Sequence, residues 1–206
     1  SSELPGPLGH GFRQANLDED AAYYVFEHGP LAFIVLDTVN PSGFATGSID
    51  LHQFGWLEGE LKSRSSGHYD SDGNPLESDG DDRLIVIVSH HPLDRLNNPL
   101  PDPFGEARIL GPQLEELLHR FPNVIAHVTG GSQVNSITPR PDPQRRGGGY
   151  WEVSTTSPVA YPMQGRLLEV VDNGDGTVSI FATMYDLDVP LDARDAQDPT
   201  PDDGAE

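Results

Sequence analysis

The sequence predicts an α/β layered sandwich rather than a closed barrel. Segment 84–88 is continuously apolar, which is typical of a strand buried on both faces of a parallel sheet, and segment 124–128, which is apolar except for His127, is predicted as a second buried strand. A segment with apolar residues at helical spacing precedes each of them, and hairpins are predicted on either side of this core. A chain that alternates strand and helix in this way builds a sheet with helices packed against it.

The N-terminal elements are predicted to be a linker and a hairpin. Residues 1–20 contain Gly and Pro and have no apolar period, so we expect a linker that follows an upstream part of the protein. Segments 22–27 and 31–37 are short, aromatic and rich in β-branched residues, and Gly29 and Pro30 between them favour a turn. These features predict two antiparallel strands.

Two helices are predicted between the strands. The first begins at Asp50, whose side chain is placed to cap the N-terminus, and ends near Arg64. The second covers 113–121. Residues 65–82 are rich in Ser, Gly, Asp and Asn, which predicts a long exposed loop, and a Pro-rich loop is expected through Pro103. The apolar positions that define the helices are Leu51, Phe54, Leu57 and Leu61 in the first and Leu114, Leu117, Leu118 and Phe121 in the second.

The C-terminal part is predicted to be mostly β-structure. The segment Asn173-Gly174-Asp175-Gly176 is a strong hairpin turn. We expect one partial domain over 21–187 and, because residues 188–206 are rich in Asp and Pro, a disordered acidic tail. Beyond the second buried strand the expected elements are a loop over 139–149, a strand over 150–153, and two strands over 166–171 and 177–185.

Charge and composition exclude several classes of partner. The formal net charge is -21 and Lys62 is the single lysine, which disfavours both nucleic acid and an anionic membrane surface. No apolar run approaches the roughly 20 residues of a membrane span, so no span and a soluble chain are predicted. Zero cysteines exclude disulfides, thiolate zinc sites and thiol nucleophiles.

Polar residues follow both buried strands, at the edge where α/β sheets place their ligands. His90 and His91 end the first strand, and neutral imidazole is a common ligand for zinc, manganese and iron. The alternative is that both rings cap loop backbone. The glycines of Gly130–Asn135 end the second strand and would let backbone approach a ligand, although a plain turn has the same composition.

This arrangement resembles the second half of the calcineurin-like metallophosphoesterases, in which the first strand end carries His-x-Pro and the second carries Gly-His-x-His. Here the two motifs read Ser89-His90-His91-Pro92 and Gly130-Gly131-Ser132-Gln133. The resemblance is to a bacterial, largely actinobacterial family in particular, and it covers most of residues 9–186. The further shared segments are Gly9–Phe12, Leu36–Asn40, Trp151–Thr155 and Asp172–Thr177.

The resemblance implies the C-terminal half of a four-layer α/β/β/α metallophosphoesterase sandwich, with Mn, Fe or Zn as divalent cofactors of the parent family. It places metal positions at His90 and Gln133, and supporting or phosphate-contacting positions at His91, Gly131 and Asn135. The chain departs from the family at two points: Gly131 and Gln133 replace both histidines of the second motif, and the upstream half with its Asp-x-His, Gly-Asp and Gly-Asn-His motifs is missing.

The predicted function is therefore metal-dependent hydrolysis of a phosphomonoester or phosphodiester in the parent family, with this chain an incomplete and inactive part of the enzyme. Its expected partners are a phosphate-ester small molecule and the missing N-terminal half. The alternative is a non-catalytic, phosphoesterase-like binding or interaction module. No catalytic residue is predicted in this chain. A triad of Ser89, His91 and Asp94 would need a nucleophile elbow, which the sequence lacks.

Overall fold

A computed structural model describes residues 14–18, 21–101, 105–158 and 163–186, which fall into two compact units divided between Ser157 and Pro158. The predicted tail 188–206 and the Gly9–Phe12 motif lie outside the described residues. The helices are α1 Gln14–Asp18, α2 Leu51–Ser63 and α3 Gly111–His119, with a 3-10 turn at Leu93–Arg95. The strands are β1 Tyr24–His28, β2 Leu31–Val35, β3 Ile49–Asp50, β4 Gly67–Tyr69, β5 Pro75–Glu77, β6 Leu84–Ser89, β7 Arg108–Ile109, β8 Val124–Thr129, β9 Ser136–Pro141, β10 Gly149–Ser154, β11 Gln164–Asp172 and β12 Val178–Asp186.

The first unit is built on a six-stranded mixed sheet with the strand order β1-β2-β6-β8-β10-β9. Its four central strands, β2, β6, β8 and β10, run parallel, and antiparallel strands β1 and β9 close the two edges. This confirms the predicted α/β class, because α2 connects β2 to β6 and α3 connects β6 to β8 in the same direction across the sheet. Crossovers of the same hand place both helices on one face.

The core lies between that face and the helices. Ile34, Ile85 and Ile87 are fully buried from the sheet side, and Leu57 and Leu118 are fully buried from the helices. The first predicted buried strand contributes Ile85 and Ile87 to this apolar cluster, and the second contributes Val124. On the opposite face, Phe33, Val35 and Val88 are half-buried, whereas Val86 and Val153 are buried.

Local capping explains where the two long helices begin. The Asp50 carboxylate accepts a hydrogen bond from the Gln53 backbone at 2.6 Å, as the sequence predicted. α3 begins at Gly111, two residues before the predicted start, because Pro112 occupies the first turn, where its missing N–H costs nothing. Gln113 Oε1 accepts the Leu110 N–H at 2.9 Å. α2, with 13 residues, is too short to cross a bilayer, and none of the helices in the described ranges is long and apolar enough to do so.

Two segments that were predicted as loops contain strands. Residues 65–82 include the β4–β5 hairpin, because Asp70 accepts two backbone N–H groups and the Asn74 side chain, which closes a tight turn. Residues 139–149 overlap β9, which tolerates Pro139 and Pro141 because it is an edge strand. In addition, the predicted linker 1–20 contains α1.

The second unit is an antiparallel hairpin of β11 and β12, close to the predicted strands. The predicted turn residues connect them, with the Asn173 N–H donating to Thr177 O at 3.1 Å. Gly165 lies under the Tyr185 ring, and a Cβ there would come within 2.3 Å of that ring. One face of the hairpin exposes apolar residues, with Phe181 56% exposed and Leu167 54% exposed.

Candidate functional site

The parallel strands bring both predicted motifs to one edge of the sheet. Ser89 of β6 pairs with Thr129 of β8, and Thr129 is followed directly by the glycine segment. The next strand, β10, ends level with them, since Ser154 pairs with Thr129. The residues that follow β2, β6, β8 and β10 therefore form one continuous rim at the carboxyl ends of the parallel strands, the usual place for ligands in α/β proteins.

His90 and Gly131 are in direct contact at this rim. The His90 carbonyl accepts the Gly131 N–H at 2.7 Å and the Gly130 N–H at 3.3 Å. A Cβ on Gly131 would lie 2.8 Å from His90 Nε2 and 2.7 Å from the His90 carbonyl oxygen. Glycine at 131 thus lets the exposed His90 ring lie against the neighbouring loop. Two of the sequence-predicted positions are brought together by this contact.

The His91 side chain is buried and contacts the loop after β2. It is 8% exposed, and its Nδ1 lies 2.8 Å from Thr38 Oγ1. Burial lowers the pKa of His91, which favours the neutral ring. Its ring stands edge-on to His90, with centroids 4.7 Å apart. Gly47 makes room for it, since a Cβ there would lie 2.5 Å from His91 Nδ1.

Gln133 and Asn135 occupy the loop after β8 in different ways. Gln133 is exposed and has a backbone φ of 56°, a left-handed conformation that displays its side chain outward. The Asn135 carboxamide oxygen accepts the Thr156 N–H at 3.1 Å and so joins the loop after β8 to the loop after β10. Asn135 therefore supports the rim, while Gln133 presents a free-standing amide to solvent.

The donor set at the rim does not fit a two-metal centre. The candidate ligands are the His90 imidazole and the Gln133 amide, and amide oxygen is a poorer ligand than imidazole for manganese, iron or zinc. His91 Nδ1 faces Thr38, and Asp37 Oδ1 accepts the Val39 N–H at 2.9 Å as a loop cap. Within the described ranges no three His, Asp or Glu side chains are grouped so that they could hold a metal ion.

A buried polar network under the rim was missed from the sequence. Ser89 Oγ lies 2.7 Å from His127 Nε2, and His127 Nδ1 lies 3.3 Å from Glu152 Oε2. The other oxygen of Glu152 accepts from Arg140 at 2.7 Å, and Arg140 also pairs with Asp94 at 3.1 Å. The sequence does contain a signal for this network, because side chains alternate between the two faces along a strand. Ser89, His127 and Glu152 all fall at positions that face the core, in strands that are otherwise apolar there.

The contacts within this network stabilise the ionised form of Glu152. Burial raises the pKa of the Glu152 carboxyl, but contacts with His127, Arg140 and the Leu93 N–H outweigh it and lower that pKa from 4.5 to about 2. Glu152 is 5% exposed and His127 is fully buried. A carboxylate that is buried, ionised and bonded on both oxygens is costly to leave unpaired. The network is therefore expected to matter for stability.

Neither serine arrangement has the features of a hydrolase site. The triad of Ser89, His91 and Asp94, which the sequence disfavours, does not form, because His91 contacts Thr38 and the Asp94 side chain is 82% exposed beside Arg140. Ser89, His127 and Glu152 follow the order of a catalytic triad, but Ser89 Oγ donates its proton to the His91 carbonyl at 2.8 Å. Ser89 is only 7% exposed and its hydroxyl lies within hydrogen-bonding distance of two groups of the turn and the network, so it is not open to a substrate.

A cavity of about 360 Å³ lies away from this rim, between α3, the β4–β5 turn and the β9–β10 turn. The Arg145 guanidinium sits 3.7 Å above the Tyr69 ring and pairs with Asp142. Arg120 donates to the Tyr69 carbonyl at 2.8 Å and pairs with Glu58 at 3.2 Å. The two arginines thus link the segments that line the cavity. We assign no ligand to this cavity.

The chain matches no protein-family model and no curated protein sequence.

Proposed function

We propose that this chain is the C-terminal half of a calcineurin-like phosphoesterase domain, and that alone it binds at most one divalent cation weakly and hydrolyses no phosphate ester. The observation that supports this most directly is the contact between His90 and Gly131 across adjacent parallel strands. In the family that the sequence resembles, metal ligands occupy these two positions. The order of motifs along the chain supports the same reading.

The proposed missing half would pack on the sheet face opposite the helices. Helices cover one face of the six-stranded sheet. On the other face, half-buried Phe26 and Phe33 and the 46% exposed Trp151 belong to one row paired across neighbouring strands, in which Val86 and Ala126 are buried. We propose that a second sheet, supplied by an N-terminal half, packs on this row to complete a four-layer sandwich. A phosphate ester, with Mn, Fe or Zn, is the proposed ligand of that completed enzyme.

A non-catalytic binding module is the second candidate, and the donor set favours it. One imidazole and one amide cannot hold two metals near 4 Å apart, so neither an attacking hydroxide nor a leaving oxygen would be stabilised. In this reading the rim keeps His90 for binding and has lost turnover in any context. The two candidates differ in what happens when an N-terminal half with intact motifs is added.

The test combines metal titration with a phosphatase assay. Calorimetric titration with Mn²⁺ should give weak binding that His90→Ala removes, and p-nitrophenyl phosphate with added Mn²⁺ should show no turnover. His28→Ala is the control, because His28 is also an exposed histidine but lies on the edge strand β1. Turnover by the unmodified chain that is lost in His90→Ala would overturn the inactive-half proposal. Equal Mn²⁺ binding by His90→Ala and the unmodified chain would overturn the site assignment.

A further inference from the structure

We propose that Glu152 is a positioning residue for His90: its carboxylate closes a ring of contacts that fixes the turn from Ser89 to Leu93, on which His90 is carried. This inference rests on the proposed role of His90 as the binding residue of the rim. Glu152 does not touch the His90 ring. It acts on the backbone at the far end of the turn.

The ring of contacts can be followed atom by atom. Ser89 Oγ donates to the His91 carbonyl at 2.8 Å and lies 2.7 Å from His127 Nε2. His127 Nδ1 lies 3.3 Å from Glu152 Oε2, and the same oxygen accepts the Leu93 N–H at 2.9 Å. Starting at Ser89, the contacts therefore pass through two side chains from neighbouring strands and return to the backbone four residues later.

Proton accounting fixes the direction of these contacts. Ser89 has a single hydroxyl proton, which goes to the His91 carbonyl, so His127 Nε2–H is the donor toward Ser89 Oγ. Because the ionised Glu152 Oε2 can only accept, the contact of His127 Nδ1 with it is favourable when this nitrogen also carries a proton, which makes the ring a cation. Glu152 is acceptor-only when ionised, and its Oε2 faces both the Leu93 N–H and the His127 ring. A neutral amide at 152 would present donors to Arg140, so it could not reproduce both contacts of the carboxylate.

The rest of the turn is held from two other sides. The His90 carbonyl is bonded to Gly130 and Gly131, and the His91 N–H donates to Thr38 Oγ1 at 3.3 Å. Glu152 supplies the third side, from β10, and Arg140 extends it by pairing with both Glu152 and Asp94. Contacts from the loop after β2, the loop after β8 and strand β10 thus fix the backbone around His90. The contribution of β10 depends on the Glu152 carboxylate.

The experiment compares Glu152→Gln with Glu115→Gln. Glu115 is also a partner of Arg140, at 3.7 Å, but it makes no contact to the turn in the described structure. Hydrogen exchange of the His91 and Leu93 amides reports the turn itself, and Mn²⁺-induced broadening of the His90 ring protons reports binding. Circular dichroism establishes that each variant is folded.

We expect Glu152→Gln to speed Leu93 amide exchange by about 10-fold, because a charge-assisted hydrogen bond is weakened. Mn²⁺ affinity at His90 should fall on the order of 10-fold, as is usual when a group that orients a ligand is lost. Glu115→Gln should change neither quantity. Ser89→Ala opens the same ring elsewhere, so its effects and those of Glu152→Gln should be less than additive in the double variant.

The outcomes separate this inference from the proposed function. If Mn²⁺ broadens His90 no more than His28, the binding role of His90 fails, and Leu93 exchange alone then decides whether Glu152 fixes the turn. Unchanged exchange of Leu93 and His91 in folded Glu152→Gln would overturn the positioning role even if Mn²⁺ binds. If Glu152→Gln does not fold, Ser89→Ala provides the same comparison, and unchanged exchange there overturns the inference.

Discussion

Replacing the buried Glu152 carboxylate with an amide should destabilise the fold in a pH-dependent way. Glu152→Gln keeps the size of the side chain and removes only its charge. Folding lowers the pKa of Glu152 from 4.5 to about 2, so the folded protein favours the ionised form more than the unfolded chain does. The resulting stabilisation is fully present above pH 4.5 and is lost as the pH falls toward 2.

The magnitude follows from the size of the pKa change. A shift of one pKa unit corresponds to about 1.4 kcal/mol, so a fall from 4.5 to about 2 gives about 3 kcal/mol near pH 7. The same relation leaves about 2 kcal/mol near pH 3.5. Solvent screening reduces this stabilisation by the ionised carboxylate only slightly, because Glu152 is 5% exposed.

Urea unfolding followed by tryptophan fluorescence measures the difference directly. The free energies of unfolding of the unmodified chain and Glu152→Gln should differ by about 3 kcal/mol near pH 7 and converge as the solution is acidified. Glu115→Gln should lose less than about 1 kcal/mol at any pH, since Glu115 is half-exposed and 3.7 Å from Arg140. A difference that is absent, or that does not change with pH, would refute the reasoning.

Three further outcomes are expected. Gly47→Ala should lower the free energy of unfolding by about 2 kcal/mol, because its Cβ would lie 2.3 Å from the Thr38 carbonyl. Gly55→Ala in α2 meets nothing within 4 Å and should leave that free energy unchanged or raise it. Chemical denaturation of both variants measures the difference. Gln133→His should tighten Mn²⁺ binding in calorimetry while Gly131→His, which displaces the His90 ring, should not; the opposite ranking would contradict the contact geometry. The apolar residues on the sheet face opposite the helices should make the chain associate as its concentration rises. A single monomeric species at all concentrations in analytical ultracentrifugation would argue against this.

The sequence predicted the parallel core well because its signals are local. A continuous apolar run such as 84–88 needs no partner to be recognised, and the cap at Asp50 lies within one turn of its acceptor. The same holds for the turn at 173–176. Where an element depends on a distant strand, prediction failed: β9 contains two prolines and becomes a strand only because β10 supplies its hydrogen bonds.

The candidate site was predicted in the same uneven way. His90 and Gly131 could be located because each follows a recognisable strand, and their adjacency follows once those strands are parallel. The partners of His91 and His127 could not be predicted, since Thr38 and Glu152 are distant in sequence and become neighbours only through strand register. A polar residue inside a buried strand requires a partner, but the sequence does not say which strand provides it.

The glycine at 131 is required by the position of His90. The space that a side chain would take at this position is filled by the His90 ring and the His90 carbonyl, which bonds the Gly131 N–H at 2.7 Å. His90 can occupy its position at the rim because residue 131 has no Cβ. A histidine at 131 would require His90 to move, while the far end of its turn is bonded to Glu152 through the Leu93 N–H. The rim thus has room for one imidazole at these two positions, which is why Gln133→His, and not Gly131→His, is expected to tighten Mn²⁺ binding.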